Sequence, residues 1–139
     1  MSMIRITTDP TYHLNPDEIL VYGSNRAGRN GKGAALTAHR RFGAAMGVGK
    51  GRTGQCYALP TKGFYLEVLP LKEIKVEVDD LKVYVIEHPE LTFKITAVGT
   101  GLAGYSIEQI APLFIDFINL QNVHFPIEFW DFFNNQKQQ

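Results

Sequence analysis

A single cysteine, Cys56, rules out an internal disulfide, and its setting Gln55-Cys-Tyr-Ala-Leu59 reads as strand interior, where a thiol more often packs as a small hydrophobe than acts as a nucleophile. No run of eighteen consecutive apolar residues is present, so no membrane span is expected. The first residues, Met1 to Ile6, lack a basic patch followed by a long apolar stretch, so no secretory signal is read and a cytoplasmic protein is expected. The four histidines, His13, His39, His88 and His124, are scattered without zinc-ligand spacing, and neither a metal nor a cofactor is expected. The most telling absence is local: between Gly23 and Gly63 there is no aspartate or glutamate.

That carboxylate-free segment holds Arg26, Arg29, Lys32, Arg40, Arg41, Lys50, Arg52 and Lys62, although the 139-residue chain as a whole is neutral. Every glycine lies either there or between Gly99 and Gly104. Backbone freedom and positive charge therefore coincide, the composition of a surface that meets an anion; the plainer alternative is a solvated basic loop. Length and an apolar fraction of 45% suit one domain with a single continuous core, over residues 1–135, followed by a frayed tail at 136–139.

Apolar or β-branched runs predict strands at Ile4 to Thr7, Ile19 to Tyr22, Gln55 to Leu59, Thr92 to Val98 and Val123 to Phe125. Leu71, Ile74, Val78, Leu81 and Val85 recur at helical spacing until His88-Pro89. Ile107, Ile110, Ala111, Phe114, Phe117 and Ile118 do the same after Ser106, a plausible N-cap, with Pro112 as a potential kink. Further helices are expected from Gly33 to Phe42 and from Pro126 through Phe133; the aromatic density of Phe129-Trp-Asp-Phe-Phe133 suits core or interface. Alternation of strands and helices predicts an α/β fold: a three-layer α/β/α sandwich around a mixed, largely parallel sheet. Ligands of such sheets bind beyond the carboxyl ends of the strands, where both glycine-rich runs fall.

Gly99-Thr-Gly-Leu-Ala-Gly-Tyr105 follows a strand and leads into a helix, and Gly23 to Gly33 does likewise, so a phosphate or diphosphate nest is expected in the crevice between them. The run at Gly99, Gly101 and Gly104 satisfies G-x-G-x-x-G, but about 35 residues remain after it, too few for a dinucleotide-binding half. A P-loop is excluded because Gly31-Lys32 is followed by Gly33, and Gly49-Lys50 by Gly51, where a hydroxyl is required. Asn25 either hydrogen-bonds a ligand or holds its own turn, and Tyr105 either lays its ring on a sugar or base or packs on the sheet. Gly47 to Gly54 reads as a flap over the crevice or as a plain connector.

Val21-Tyr-Gly-Ser-Asn25, Lys32-Gly-Ala-Ala35 and Val98-Gly-Thr-Gly-Leu-Ala-Gly-Tyr105, in that order, resemble the macro domain family, including a macro-like group of bacterial and phage proteins. The resemblance spans roughly Ile19 to Ile118 and implies binding of ADP-ribose or a related nucleotide diphosphate, as in a sensor or a reader of ADP-ribosylated macromolecules. It implies ligand contacts from Gly23, Ser24, Asn25, Gly28 and Asn30, and from Gly31, Lys32, Gly33 and Ala34. On the second loop it implies Gly99, Thr100, Gly101, Leu102, Ala103, Gly104 and Tyr105. Tyr57-Ala-Leu-Pro-Thr-Lys62 is similar to the branch that hydrolyses ADP-ribosyl bonds with a lysine, which makes Lys62 the candidate catalytic residue. That branch has an aspartate in the second loop, whereas this chain has Ala103 in that region and no carboxylate between Glu90 and Glu108. The family also places an aspartate upstream of the first strand against adenine, for which Asp9 and Asp17 are the candidates. A nucleophilic amine must be neutral, so Lys62 acts either in catalysis or as a fixed positive charge. A third expectation, nucleic-acid binding by the basic segment, is disfavoured by its scarcity of aromatic stacking residues.

Overall fold

The computed structural model describes residues 5–8 and 13–137. Five strands, β1 (Glu18–Asn25), β2 (Gly51–Thr53), β3 (Cys56–Lys62), β4 (Thr92–Ile95) and β5 (Val123–His124), form one sheet in the order β2-β3-β1-β4-β5. Every pairing is parallel except that of β2 with β3. The strands alternate with α1 (Gly33–Phe42), α2 (Leu71–Glu87), α3 (Ile107–Ile110), a 3-10 helix over Ala111–Phe117, and α4 (Ile127–Lys137). The expected α/β architecture with a mixed, mostly parallel sheet is present.

The layering follows from the period of two along the central strands. Ile19 and Val21 of β1, and Tyr57 and Leu59 of β3, join a core with residues of α2, the 3-10 helix and α4. Leu20 and Tyr22, with Cys56 and Ala58, point the other way and pack with Ala35, Ala38 and Phe42 of α1. Both faces being covered, these strands needed near-continuous apolar sequence. Cys56 is fully buried among them, and burial pushes its thiol up to about 12, in keeping with the packing reading.

Three sequence expectations change in the structure. The helix after Ser106 is α-helical for one turn only and then tightens into 3-10 geometry, because Pro112 has no N–H to continue the α ladder. Gly47 to Gly54 is neither a flap nor a plain connector, since Gly51 to Thr53 adds an antiparallel edge strand to β3. At the amino-terminal end, Ile6 makes a single parallel bridge to Phe125 rather than belonging to a strand. Phe129 and Phe133 are buried in the core, and Trp130 and Phe132 pack against it while partly exposed. Among the described residues no helix is long and apolar enough to cross a membrane, and no group of three or more His, Cys, Asp or Glu side chains is arranged to hold a metal.

Candidate functional site

The chain leaves β1 for β3 on one side and reaches β4 on the other, with α1 and α2 crossing on opposite faces. The strand order therefore reverses at β1, and a crevice opens beyond the carboxyl ends of its neighbours, as this topology dictates. A cavity of roughly 680 Å³ occupies that place. It is lined by Gly23, Ser24 and Asn25 from the end of β1, by Thr61 and Lys62 from the end of β3, and by Thr96 and Ala97 after β4. Gly31 to Ala35 close one side; Gly99 to Ala103, with Leu66, close the other. Asn25 and Gly101 thus share one cavity.

The close approach of the two loops explains some of the glycines. A Cβ on Gly23 would lie 3.5 Å from the Gly99 nitrogen and 3.5 Å from the Thr61 hydroxyl, so these chains run nearly in contact. Gly28, by contrast, has φ +72° and would drive a Cβ to 2.3 Å from the Gly47 carbonyl carbon. Its glycine serves backbone packing against the Gly47–Thr53 segment, and Gly28 does not line the cavity. The Ser24 hydroxyl donates to the Gly49 carbonyl in the same seam.

The end of β3 is positioned by an irregularity in its register with β1: Ser24 pairs with Pro60, but Asn25 pairs with Lys62. Thr61 is the extra residue, and the Arg26 N–H donates to the Lys62 carbonyl at 2.9 Å. Lys62 is thereby held beside Asn25 at the cavity wall. The Asn25 side chain grips its own loop, donating to the Arg29 carbonyl and accepting from the Arg29 N–H, each at 2.9 Å. The turn-holding role read for Asn25 is thus realised while the residue still lines the cavity.

Backbone donors face this space in two groups. α1 begins at Gly33 with Lys32 as N-cap, no side-chain cap and no acidic residue in its first turn. Its first amides lack intrahelical acceptors and carry the positive end of the helix dipole into the cavity. In the second loop the N–H groups of Thr100, Gly104 and Tyr105 bond back to Ala97, Gly101 and Gly99. The N–H groups of Gly101, Leu102 and Ala103 donate to no carbonyl among the described residues. The start of α3, expected to help hold the ligand, is closed instead: Ser106 and Gln109 form a reciprocal capping box.

Side-chain charge is sparser than the composition suggested. Arg26 and Lys50 reach the buried Glu77 carboxylate of α2 at 3.6 and 2.7 Å, and Lys50 also contacts Asp80 at 2.6 Å. Both carboxylates hold Lys50 well above the ordinary lysine range. Arg52 points to the Tyr84 hydroxyl at 3.5 Å. Arg29, Lys32 and Lys62 remain as the cations of the cavity lining, which contains no carboxylate and no histidine. Four lining hydroxyls have their protons committed to carbonyls: Ser24 to Gly49, Thr61 to Ser24, Thr96 to Val21 and Thr100 to Ala97. Such oxygens offer lone pairs to ligand donors such as sugar hydroxyls, and none is activated by a neighbouring base.

Four nominated residues stand away from the lining, Gly28 among them. Asn30 is 1% exposed, its amide set beside the Tyr22 hydroxyl, and does not line the cavity. Tyr105 sends its hydroxyl to the Leu69 carbonyl at 2.6 Å and packs against the core, the sheet-packing alternative rather than a ring over the ligand. Gly104 likewise falls outside. Asp17 precedes β1 at the opposite end of the strand, about 25 Å of extended chain from Asn25, and is too distant to meet a ligand base. Asp9 lies outside the described residues. Arg29, Ala35, Thr61, Leu66, Thr96 and Ala97 line the cavity without having been named as ligand contacts; all but Leu66 adjoin the nominated loops or end a strand run, and nothing in the sequence marks Leu66.

No family model matches the chain, and no curated protein matches it. A solved structure described as a protein of unknown function from Bacteroides thetaiotaomicron is similar in fold, with a TM-score of 0.63 over 91% of this chain and 96% of that one, at 14% sequence identity.

Proposed function

We propose that the cavity binds ADP-ribose or a related nucleoside diphosphate. The observation that carries this reading is the convergence of two sets of uncommitted main-chain amides, the uncapped start of α1 and Gly101 to Ala103, across one space lined by three cations and no carboxylate. A diphosphate satisfies such donors without a metal, and sugar hydroxyls match the acceptor oxygens of Ser24, Thr61, Thr96 and Thr100. The motif resemblance to the macro domain family supports the same ligand class. Calorimetric titration with ADP-ribose, ADP and AMP side by side tests it: saturable binding that weakens on loss of the second phosphate is expected, and no response to any of the three overturns the reading.

A second reading, hydrolysis of an ADP-ribosyl bond, is favoured by the position of Lys62 on the cavity wall. With no carboxylate, histidine or activated hydroxyl in the lining, Lys62 is the one lining side chain suited to attack an anomeric carbon, and only as the neutral amine. This reading expects release of ADP-ribose from modified nucleic acid or protein, and its loss in Lys62→Ala with ADP-ribose binding retained. A wild type without turnover on either substrate removes it. Nucleic-acid binding by the basic segment is weakened by the pairing of Arg26 and Lys50 with α2.

A further inference from the structure

The turn between β3 and α2 breaks the rule that large apolar side chains avoid water. Phe64 is 64% exposed, Tyr65 91%, Leu66 39% and Val68 44%. Scattered surface hydrophobics need no explanation, but four within five consecutive positions do. The turn is also firmly built. Lys62 and Val68 form an antiparallel bridge, the Gly63 N–H donates to the Glu67 carbonyl at 2.8 Å, and the Leu69 N–H donates to the Thr61 carbonyl at 3.0 Å. Inside it the Leu66 N–H bonds to Gly63, and the Tyr65 N–H donates to the Glu67 carboxylate at 3.0 Å. Leu66 is held at φ +64°, a left-handed conformation costly for a branched side chain and found among the described non-glycine residues only here.

That strained residue lines the cavity, as does Leu102, which is 69% exposed on the second glycine loop. The apolar patch therefore meets the cavity through Leu66, and it begins just beyond Lys62 and Gly63. From this we infer that the Phe64-Tyr65-Leu66 turn is the subsite for the planar heterocycle of the ligand, with the aromatic rings stacking on the base while the amides and cations behind them hold the phosphates. The inference rests on the nucleotide reading above and adds where the base goes. The lining offers apolar surface at Leu66 and Leu102 beside the amides and cations, as a nucleotide offers a base beside its phosphates. Stacking needs no hydrogen-bond partner, so the subsite works without the carboxylate that Asp17 is too distant to supply. A separate macromolecule docking on the turn would not account for Leu66 and Leu102 lining the cavity itself.

The test compares wild type and the Phe64→Ser/Tyr65→Ser double variant by calorimetry, with ADP-ribose and inorganic pyrophosphate as probes. Both side chains are largely in water, so the melting temperature should be retained. The expected result is a loss of about tenfold or more in ADP-ribose affinity with pyrophosphate affinity unchanged. Equal ADP-ribose binding by both proteins, with or without an altered response to a single-stranded oligonucleotide, overturns the inference and leaves the nucleotide reading standing. Equal loss for both probes also overturns it, since the turn would then shape the anion site. A wild type that binds neither probe overturns the nucleotide reading, and this inference with it.

Discussion

Gly31 and Gly101 are glycines for which the fold has no evident use. Neither lies in the left-handed region, and an added Cβ on either meets nothing within 4 Å, although both line the cavity. If their bareness serves the ligand, Gly101→Ala separates function from stability. The methyl group enters open space, and the reduced freedom of the unfolded chain should leave stability unchanged or raise it by roughly 0.4–1 kcal/mol. In the liganded cavity the same methyl stands where a phosphate oxygen must come within about 2.9 Å of an amide nitrogen. A tenfold or greater loss of ADP-ribose affinity, about 1.4 kcal/mol, is the expected minimum. Gly49→Ala is the opposite control. Its Cβ would lie 2.2 Å from the Asn25 carbonyl oxygen and 2.8 Å from the Arg26 carbonyl carbon and oxygen, all backbone atoms that cannot swing aside. Overpacking of that kind costs about 1–3 kcal/mol or more, and at roughly 3–5 °C per kcal/mol for a chain of this size the melting temperature should fall by several degrees. Thermal melts and calorimetry on both variants decide the matter. A Gly101→Ala protein that melts normally and binds ADP-ribose like the wild type refutes the reasoning.

Further expectations follow from the same geometry. Glu77→Gln should destabilise by on the order of 1–2 kcal/mol, less than a fully buried pair because Arg26 and Lys50 keep contact with water, and denaturant titration reads the change. The Cys56 thiol, buried and pushed up to about 12, should resist iodoacetamide at pH 8 until denaturant is added; labelling of the folded protein at the rate of a free thiol would contradict its placement.

The parts legible in the sequence were those with a local cause. β1, β3 and β4 announced themselves because strands covered on both faces must be apolar almost throughout, and α1 and α2 because one face of each packs on the sheet. The two glycine loops were recognisable because tight turns at strand ends demand that residue. What escaped depended on partners distant in the chain. Gly51-Arg-Thr53 carries no apolar signal and becomes a strand only because β3 lies alongside it. The neutralisation of Arg26 and Lys50 was hidden because Glu77 arrives from another helix. Gly28 and Gly101 look alike in sequence, yet one is fixed by backbone contact with Gly47 and the other by nothing in the fold. Tyr105 was ambiguous for the same reason: only the Leu69 carbonyl, 36 positions away, decides which way it faces.

The central claim is that main-chain amides of two loops together grip a diphosphate. Titration of the 15N-labelled protein with ADP-ribose, followed by amide chemical shifts, tests it most directly. Saturable shifts centred on Gly31 to Ala34 and Gly101 to Ala103, joined by those of the Phe64 to Leu66 turn and with the amides of α4 unmoved, are predicted; a spectrum unchanged at millimolar ligand, or shifts that leave both glycine loops unmoved, would contradict it.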